Sequence, residues 1–278
     1  MGVIINLNRN IKNFINVKNF KLRLISTVLL LFIFSTIFYL GNPVLPMFLI
    51  VIFFAVLYEF NLICNDKIKL THLTTIFIFP ILLFVFLILE INNFTTLINN
   101  YNNYFLLLII ALIINSVFYN NYRNIFNFLI SNLLIISFFS LIKLLLIPNG
   151  LNIFLYLVLL VSVMDIFAYI GGNIFGVKKI VPNISSGKTI EGTLIGLFCS
   201  TLLSILIRDL IDFNVFQSLI LGFFIGLFAF FGDLLESFFK RKFGIKDSGN
   251  LIPGHGGLLD RFDGYILILP LLNFILIY

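Results

Sequence analysis

The sequence predicts an all-α polytopic integral membrane protein with about nine transmembrane helices and a cytoplasmic N-terminus. Three observations carry this prediction. Hydrophobic residues fill 60% of the 278 positions and charged residues only 11%, whereas roughly a quarter of an ordinary globular chain is charged. The mean hydropathy is +1.12, and apolar runs of about 20 residues, the length that crosses a bilayer core, recur along the whole chain. Basic residues gather on alternate connections between the runs, as the positive-inside rule requires.

The runs lie near 23–41, 44–63, 73–91, 104–119, 128–147, 151–174, 190–208, 215–238 and 262–278. They are too long and continuous for barrel strands, and backbone groups in lipid must be satisfied within the segment, so each is read as a helix. Residues 1–24 hold Arg9, Lys12, Lys18, Lys21 and Arg23 and no acid, which places them in the cytoplasm. This basic lead runs into an apolar segment with no small-residue cleavage site after it, the pattern of a signal anchor. Nine alternating spans then put Lys67, Lys69 and Arg123 inside, the uncharged stretch 92–103 outside, and the turn 148–150 outside. Lys178, Lys179 and Lys188 fall inside, Asp209 and Asp212 outside, and the cluster from Lys240 to Arg261 inside. Lys143 and Arg208 alone fall on or near the outer side. The net charge of +6 therefore sits mostly on one face, where it suits anionic membrane lipids at about 1 kcal/mol per basic residue. No separate basic domain exists, so a nucleic-acid partner is not expected. Cys64 and Cys199 lie in or beside apolar runs without a CxxC or a nearby His, and read as unpaired.

Function is unevenly distributed. Of the 12 acidic residues, 9 lie between Asp165 and Asp263. We therefore divide the chain into N-terminal transmembrane helices, residues 1–150, that anchor and face lipid, and a C-terminal catalytic region, residues 151–278. Three patches in the second region carry chemistry, all near the cytoplasmic side. In the first, Asp165 stands inside an apolar run with Tyr169 four residues on, followed by Gly171, Gly172 and Gly176. An intramembrane carboxylate is costly and marks a functional site by default, against the alternative of an Asp bonded to a neighbouring helix. The second, Ser185–Gly192, contains Gly-Lys-Thr but lacks the full phosphate-loop pattern, since position 182 is Pro and no strand is expected before it. Its hydroxyls, its backbone N–H groups at a helix start and Lys188 still suit an anion. The alternative is a helix cap with a snorkelling lysine.

The third patch runs from Gly232 to Asp263. Asp233, Ser237, Lys240 and Arg241 are spaced i, i+4, i+7 and i+8, so they share one helical face. A glycine-rich loop follows, with Lys246, Asp247 and His255, the last an acid, a base, a phosphate contact or only a turn residue. Asp260 and Asp263 then open the last span. Carboxylates on either side of a loop can hold Mg²⁺, which takes one or two carboxylates plus phosphate oxygens and water. Lys and Arg neutralise phosphate charge, and glycine-rich backbone approaches phosphates closely.

The run Ser237–Asp263, SFFKRKFGIKDSGNLIPGHGGLLDRFD, resembles the signature of the phosphatidate cytidylyltransferase (CDP-diacylglycerol synthase) family. The earlier DxxAYxxG and SxGKTxEG segments resemble it too, in the same order. The motif-bearing resemblance covers about residues 165–264. Ser186 departs from it where the family often has Pro, and Gly264 where it often has Ser; neither removes a charged group. The resemblance implies transfer of a cytidylyl group from CTP to phosphatidic acid, giving CDP-diacylglycerol and pyrophosphate, with a divalent metal, Mg²⁺. It places the metal-binding acids on Asp233 and Asp260, with Asp263 and Asp247 as neighbours. It puts Lys188, Lys240, Arg241, Lys246 and Arg261 on the phosphates, with Ser237 and Asp165 in the pocket. It also implies a homodimer, multi-pass in the inner (cell) membrane, with the site facing the cytoplasm. The expected chemistry is in-line attack by a lipid phosphate oxygen on the α-phosphorus. That nucleophile is already an anion and requires no strong general base. A transporter would place acids near the mid-membrane and repeat its pattern in both halves; here the acids crowd one face of one half. A CTP-dependent lipid kinase would release CDP instead of pyrophosphate.

Overall fold

The structure, a computed structural model, describes residues 17–65, 70–91, 102–122, 124–249, 251 and 256–277. It is built almost wholly of helices: α1 (Val17–Leu40), α2 (Val44–Cys64), α3 (Leu70–Ile91), α4 (Asn102–Val117), α5 (Ile125–Leu146), α6 (Gly150–Phe175), α7 (Ile190–Leu206), α8 (Val215–Lys242), α9 (Leu259–Phe262) and α10 (Ile268–Ile277). Among the described residues, four helices are long and apolar enough to cross a membrane: α2, α5, α6 and α8.

Local chemistry sets several boundaries. Asn214 starts α8 with a reciprocal cap: its side chain accepts from Gln217 N at 2.8 Å, and Gln217 Oε1 accepts from Asn214 N at 3.1 Å. Asn124 caps α5 by accepting from Asn127 N at 3.0 Å. Helices α6, α7 and α8 pack through small residues. A Cβ on Gly192 would come to 2.5 Å from the Ala168 carbonyl oxygen, and one on Gly226 to 2.6 Å from Ser200 Oγ. Such close approach is the usual way helices associate in lipid, where apolar burial offers little drive. The N-terminal helices are joined to the rest by aromatic stacking. Phe53 of α2 lies 4.2 Å from Phe138 of α5, which lies 4.2 Å from Phe262 of α9; Phe60 of α2 lies 5.2 Å from Phe239 of α8.

Two features depart from the expected pattern. Strands β1 (Lys179–Val181) and β2 (Ser185–Thr189) form an antiparallel hairpin between α6 and α7, pairing Lys179 with Thr189 and Val181 with Ser185. A strand thus does precede Pro182, and the Gly-Lys-Thr residues end a strand. The last apolar run is not one helix. It comprises the single turn α9, a 3₁₀ turn at Asp263–Tyr265, and α10, whose 10 residues rise only about 15 Å.

Candidate functional site

The hairpin, α6 and α8 enclose a polar cavity of about 290 Å³. Asp165, Tyr169 and Asn173 line it from α6, Ser185, Gly187, Lys188 and Thr189 from β2, and Phe230 and Asp233 from α8. Lys188 Nζ sits 2.8 Å from Asp233 Oδ2 and 5.1 Å from the centre of the Phe230 ring, a cation held by both a carboxylate and an aromatic face. Ser237 Oγ donates to Asp233 Oδ1 at 3.4 Å. The charges of Asp233, Lys188 and Arg261 all act on Asp165, and those of Asp233, Glu236 and Asp165 act on Asp263. The fold thus gathers Asp165, Lys188, Asp233, Asp263 and Arg261 into one electrostatic cluster. Thr189, whose Oγ1 accepts from Gly192 N at 3.2 Å, caps α7. The motif therefore caps a helix as the structural alternative required, but its lysine turns inward to Asp233 rather than snorkelling.

One turn further along α8, a second cluster is more deeply buried. Lys240 Nζ lies 2.6 Å from Glu236 Oε2 and 2.8 Å from Asp260 Oδ1. Asp260 also accepts from Ser248 N at 3.0 Å and Gly257 N at 2.9 Å. Burial pushes the Asp260 carboxyl up, but the hydrogen bonds from Lys240, Gly257 and Ser248 outweigh it and hold the group below its ordinary value. Gly232 lets α8 close onto the Asp263 backbone, and Asp263 Oδ1 accepts from Gly264 N at 2.7 Å.

The four residues read as one face of α8 serve three places. Asp233 lines the polar cavity with Ser237 bonded to its carboxylate, and Lys240 faces Asp260. Arg241 turns away, its Nε donating to the Ile184 carbonyl at 3.0 Å and a terminal guanidinium N–H to the Ile245 carbonyl at 2.6 Å; it ties the hairpin and the loop to the end of α8. Lys246 and Asp247 are exposed. His255 lies outside the described residues. Arg261 is exposed at the edge of a second, apolar cavity of about 460 Å³, walled by α1, α2, α5 and α6 through Phe34, Leu49, Leu141 and Phe154, and by Phe262 and Tyr265.

Two residues of this region were missed as site residues. Glu236, 2% exposed, is the partner that Lys240 shares with Asp260. Glu59 of α2, also 2% exposed, accepts from Ser248 Oγ at 3.1 Å, Leu258 N at 3.0 Å and Leu259 N at 2.9 Å. The signal for Glu59 was present: it is a carboxylate inside an apolar run, the same mark that singled out Asp165.

A family model described as the cytidylyltransferase family matches residues 21–278. The chain belongs to the cytidylyltransferase family. It is 48% identical over 131 residues to a phosphatidate cytidylyltransferase of Staphylococcus aureus (strain COL), a match covering 46% of this chain and 50% of the relative. Over the same length and shares, the Staphylococcus haemolyticus (strain JCSC1435) protein of that name is 47% identical. The chain spans about half the length of the curated relatives it matches. Among the described residues, no group of three or more His, Cys, Asp or Glu side chains is arranged to hold a metal ion. Asp165 and Asp233 line the polar cavity, and their charges act on Asp263.

Proposed function

We propose that this chain is a phosphatidate cytidylyltransferase, joining the cytidylyl group of CTP to phosphatidic acid and releasing pyrophosphate. The observation that carries the reading is the neighbourhood of two unlike cavities. The polar one presents Lys188, Asp165 and Asp233; the apolar one ends at Arg261, whose charge acts on Asp165. A substrate with two fatty chains and a phosphate needs both surfaces side by side. The relatives' names supply the same pair of substrates.

In this reading the acyl chains occupy the apolar groove and the lipid phosphate meets Arg261. The CTP phosphates enter the polar cavity, where Lys188 and the Ser185 hydroxyl meet them. An oxygen of the lipid phosphate attacks the α-phosphorus of CTP. The bond from that phosphorus to the bridging oxygen breaks, and pyrophosphate leaves with the electron pair. No proton need be removed from the nucleophile, which fits a site furnished with cations and carboxylates and no free histidine among its described residues. Positioning and charge stabilisation do the work. Lys240 and Asp260 act one shell out, holding the loop that carries Arg261, and Ser237 orients Asp233.

A divalent cation such as Mg²⁺ fits the donor set. It is commonly bound by one or two carboxylates with phosphate oxygens and water completing its shell; Asp233 lines the cavity, and its charge acts on Asp263. These two residues would hold it. Asp260, the other expected ligand, has its oxygens engaged by Lys240, Ser248 and Gly257, as Asp233 has by Lys188 and Ser237; in this reading Asp260 orients the loop. When bound, the cation would neutralise charge on the phosphates. We further propose about nine membrane-embedded helical segments, the last of them too short to cross alone, with the N-terminus and the site on the cytoplasmic side of the cell membrane, and a homodimeric assembly. The charge alternation along the sequence supports the orientation.

The test uses purified protein in detergent with phosphatidic acid, Mg²⁺ and CTP labelled on the α-phosphate. Label moving into an organic-phase lipid, with pyrophosphate released, is the expected result. Label staying in water as CDP would replace the reading with a lipid kinase, and untouched CTP in folded protein would overturn both.

A further inference from the structure

The N-terminal helices reach the site region through Glu59 of α2. This carboxylate is carried by a helix otherwise made for lipid, yet it makes no contact with lipid: it is 2% exposed. Both of its oxygens are spent on the signature loop, almost 200 residues away in sequence. Oε2 accepts from Ser248 Oγ and Leu259 N, and Oε1 from Leu258 N. The loop is shaped around it. A Cβ on Gly249 would stand 2.7 Å from Oε1, and one on Gly257 would stand 2.5 Å from Oε2 and also collide with Ser248 Oγ. Those two glycines flank the loop, so its two arms close on the same carboxylate.

The same arms hold Asp260. Ser248 gives its hydroxyl to Glu59 and its backbone N–H to Asp260, and Gly257 N–H goes to Asp260 while Leu258 and Leu259 N–H go to Glu59. Glu59 therefore satisfies the first N–H groups of α9, the turn that carries Asp260 and Arg261. The next residue, Phe60, stacks on Phe239, the neighbour of Lys240. One turn of α2 thus braces both partners of the Lys240–Asp260 ion pair.

We infer that Glu59 is a positioning residue of the reaction: an anionic, two-oxygen clamp that seats the loop so that Asp260 and Arg261 stand where substrate needs them. The inference rests on the cytidylyltransferase reading proposed above. Its chemistry is specific. Three donors converge on one carboxylate, and Gln offers only one oxygen and turns an NH₂ toward the donors of the other side. Glu59→Gln, though equal in size, should therefore lose at least one of the three bonds and set an NH₂ against its donor, opening one side of the clamp, and Glu59→Asp, which keeps both oxygens on a shorter stem, should retain part of it.

The experiment measures kcat and the KM for CTP for the wild type, Glu59→Gln and Glu59→Asp in detergent, with hydrogen exchange followed at residues 256–262. The expected result is a fall in kcat of about 10–100-fold in Glu59→Gln, the range for residues that orient site groups. KM for CTP should change little, Glu59→Asp should lie between, and faster exchange should be confined to the loop and α9. Wild-type kcat in Glu59→Gln would overturn the inference, as would faster exchange spread over the whole chain. If the wild type itself makes no CDP-lipid, the activity reading falls. The exchange data then still decide the clamp: unchanged protection at 256–262 in Glu59→Gln refutes it.

Discussion

Replacing Lys240 with Met is the sharpest test of the buried charge cluster. Lys240 is 8% exposed and Glu236 2%, so water screens the pair little. The two acids do not suffer equally when the ammonium goes. Asp260 keeps the N–H groups of Ser248 and Gly257, whereas the cation that compensates Glu236 is Lys240. Removing one member of a buried pair typically costs about 3–5 kcal/mol, because the other is left as an uncompensated charge. At about 2–4 °C per kcal/mol for chains of this size class, the apparent Tm of Lys240→Met should fall by about 6–20 °C. The chain contains no Trp, so unfolding is best followed with a thiol-reactive dye reporting exposure of the buried Cys64. The double variant Glu236→Gln/Lys240→Met removes the stranded charge along with its partner and should recover more than half of the loss. An unchanged Tm in Lys240→Met, or a double variant less stable than the single one, would refute this account of the cluster.

Other perturbations follow from the same geometry. Gly257→Ala drives a methyl group into Ser248 and Glu59 and should lower turnover at least 10-fold, as overpacking of about 1–3 kcal/mol allows; the labelled-CTP assay reads it. Gly192→Ala sets a Cβ against the Ala168 carbonyl at 2.5 Å and Gly172 N at 2.7 Å. It should cost a similar energy by separating α6 from α7, seen as a lower Tm in the thiol assay. Asp260→Asn should abolish turnover while leaving membrane insertion intact, as checked by fractionation. The ionised Asp260 is favoured by folding, so its stability contribution is present above the ordinary carboxylate value and is lost as pH falls through its lowered folded value. The Tm gap between wild type and Asp260→Asn should therefore stay level from about pH 5 to 8 and close only in stronger acid.

Hydropathy made the helices legible because each apolar run must satisfy its own backbone. The runs expected at 44–63 and 215–238 appear as Val44–Cys64 and Val215–Lys242. The extra turn on α8 is the one that carries Lys240 and Arg241, charged residues that a hydropathy window discards. The hairpin was invisible for a different reason. Strands of three and five residues have no periodicity to read and exist only as a pair. The break in the last run was hidden because Phe262, Tyr265 and Ile268 are apolar whether they lie in one helix or in three short pieces. At the site, residue type and order marked Asp165, Lys188 and Asp233 as neighbours of a polar cavity. Sharing a helix face did not predict sharing a partner, since at about 100° per residue Arg241 points well away from Lys240 and finds the hairpin.

The division at residue 150 follows the density of ionisable groups, and the packing does not respect it. Glu59 reaches the loop through three hydrogen bonds, while Phe53 and Phe60 reach α9 and α8 through aromatic stacks. Those contacts bear on the most expensive part of the structure, a set of carboxylates and cations removed from water. Such a set persists only if every group is held against a partner, and loop backbone alone supplies too few fixed partners, because each N–H must itself be immobilised. A rigid apolar helix that contributes one carboxylate solves this: the helix is fixed by its stacks, and the carboxylate fixes the loop. The first half of the chain thus does for the site what the loop cannot do for itself.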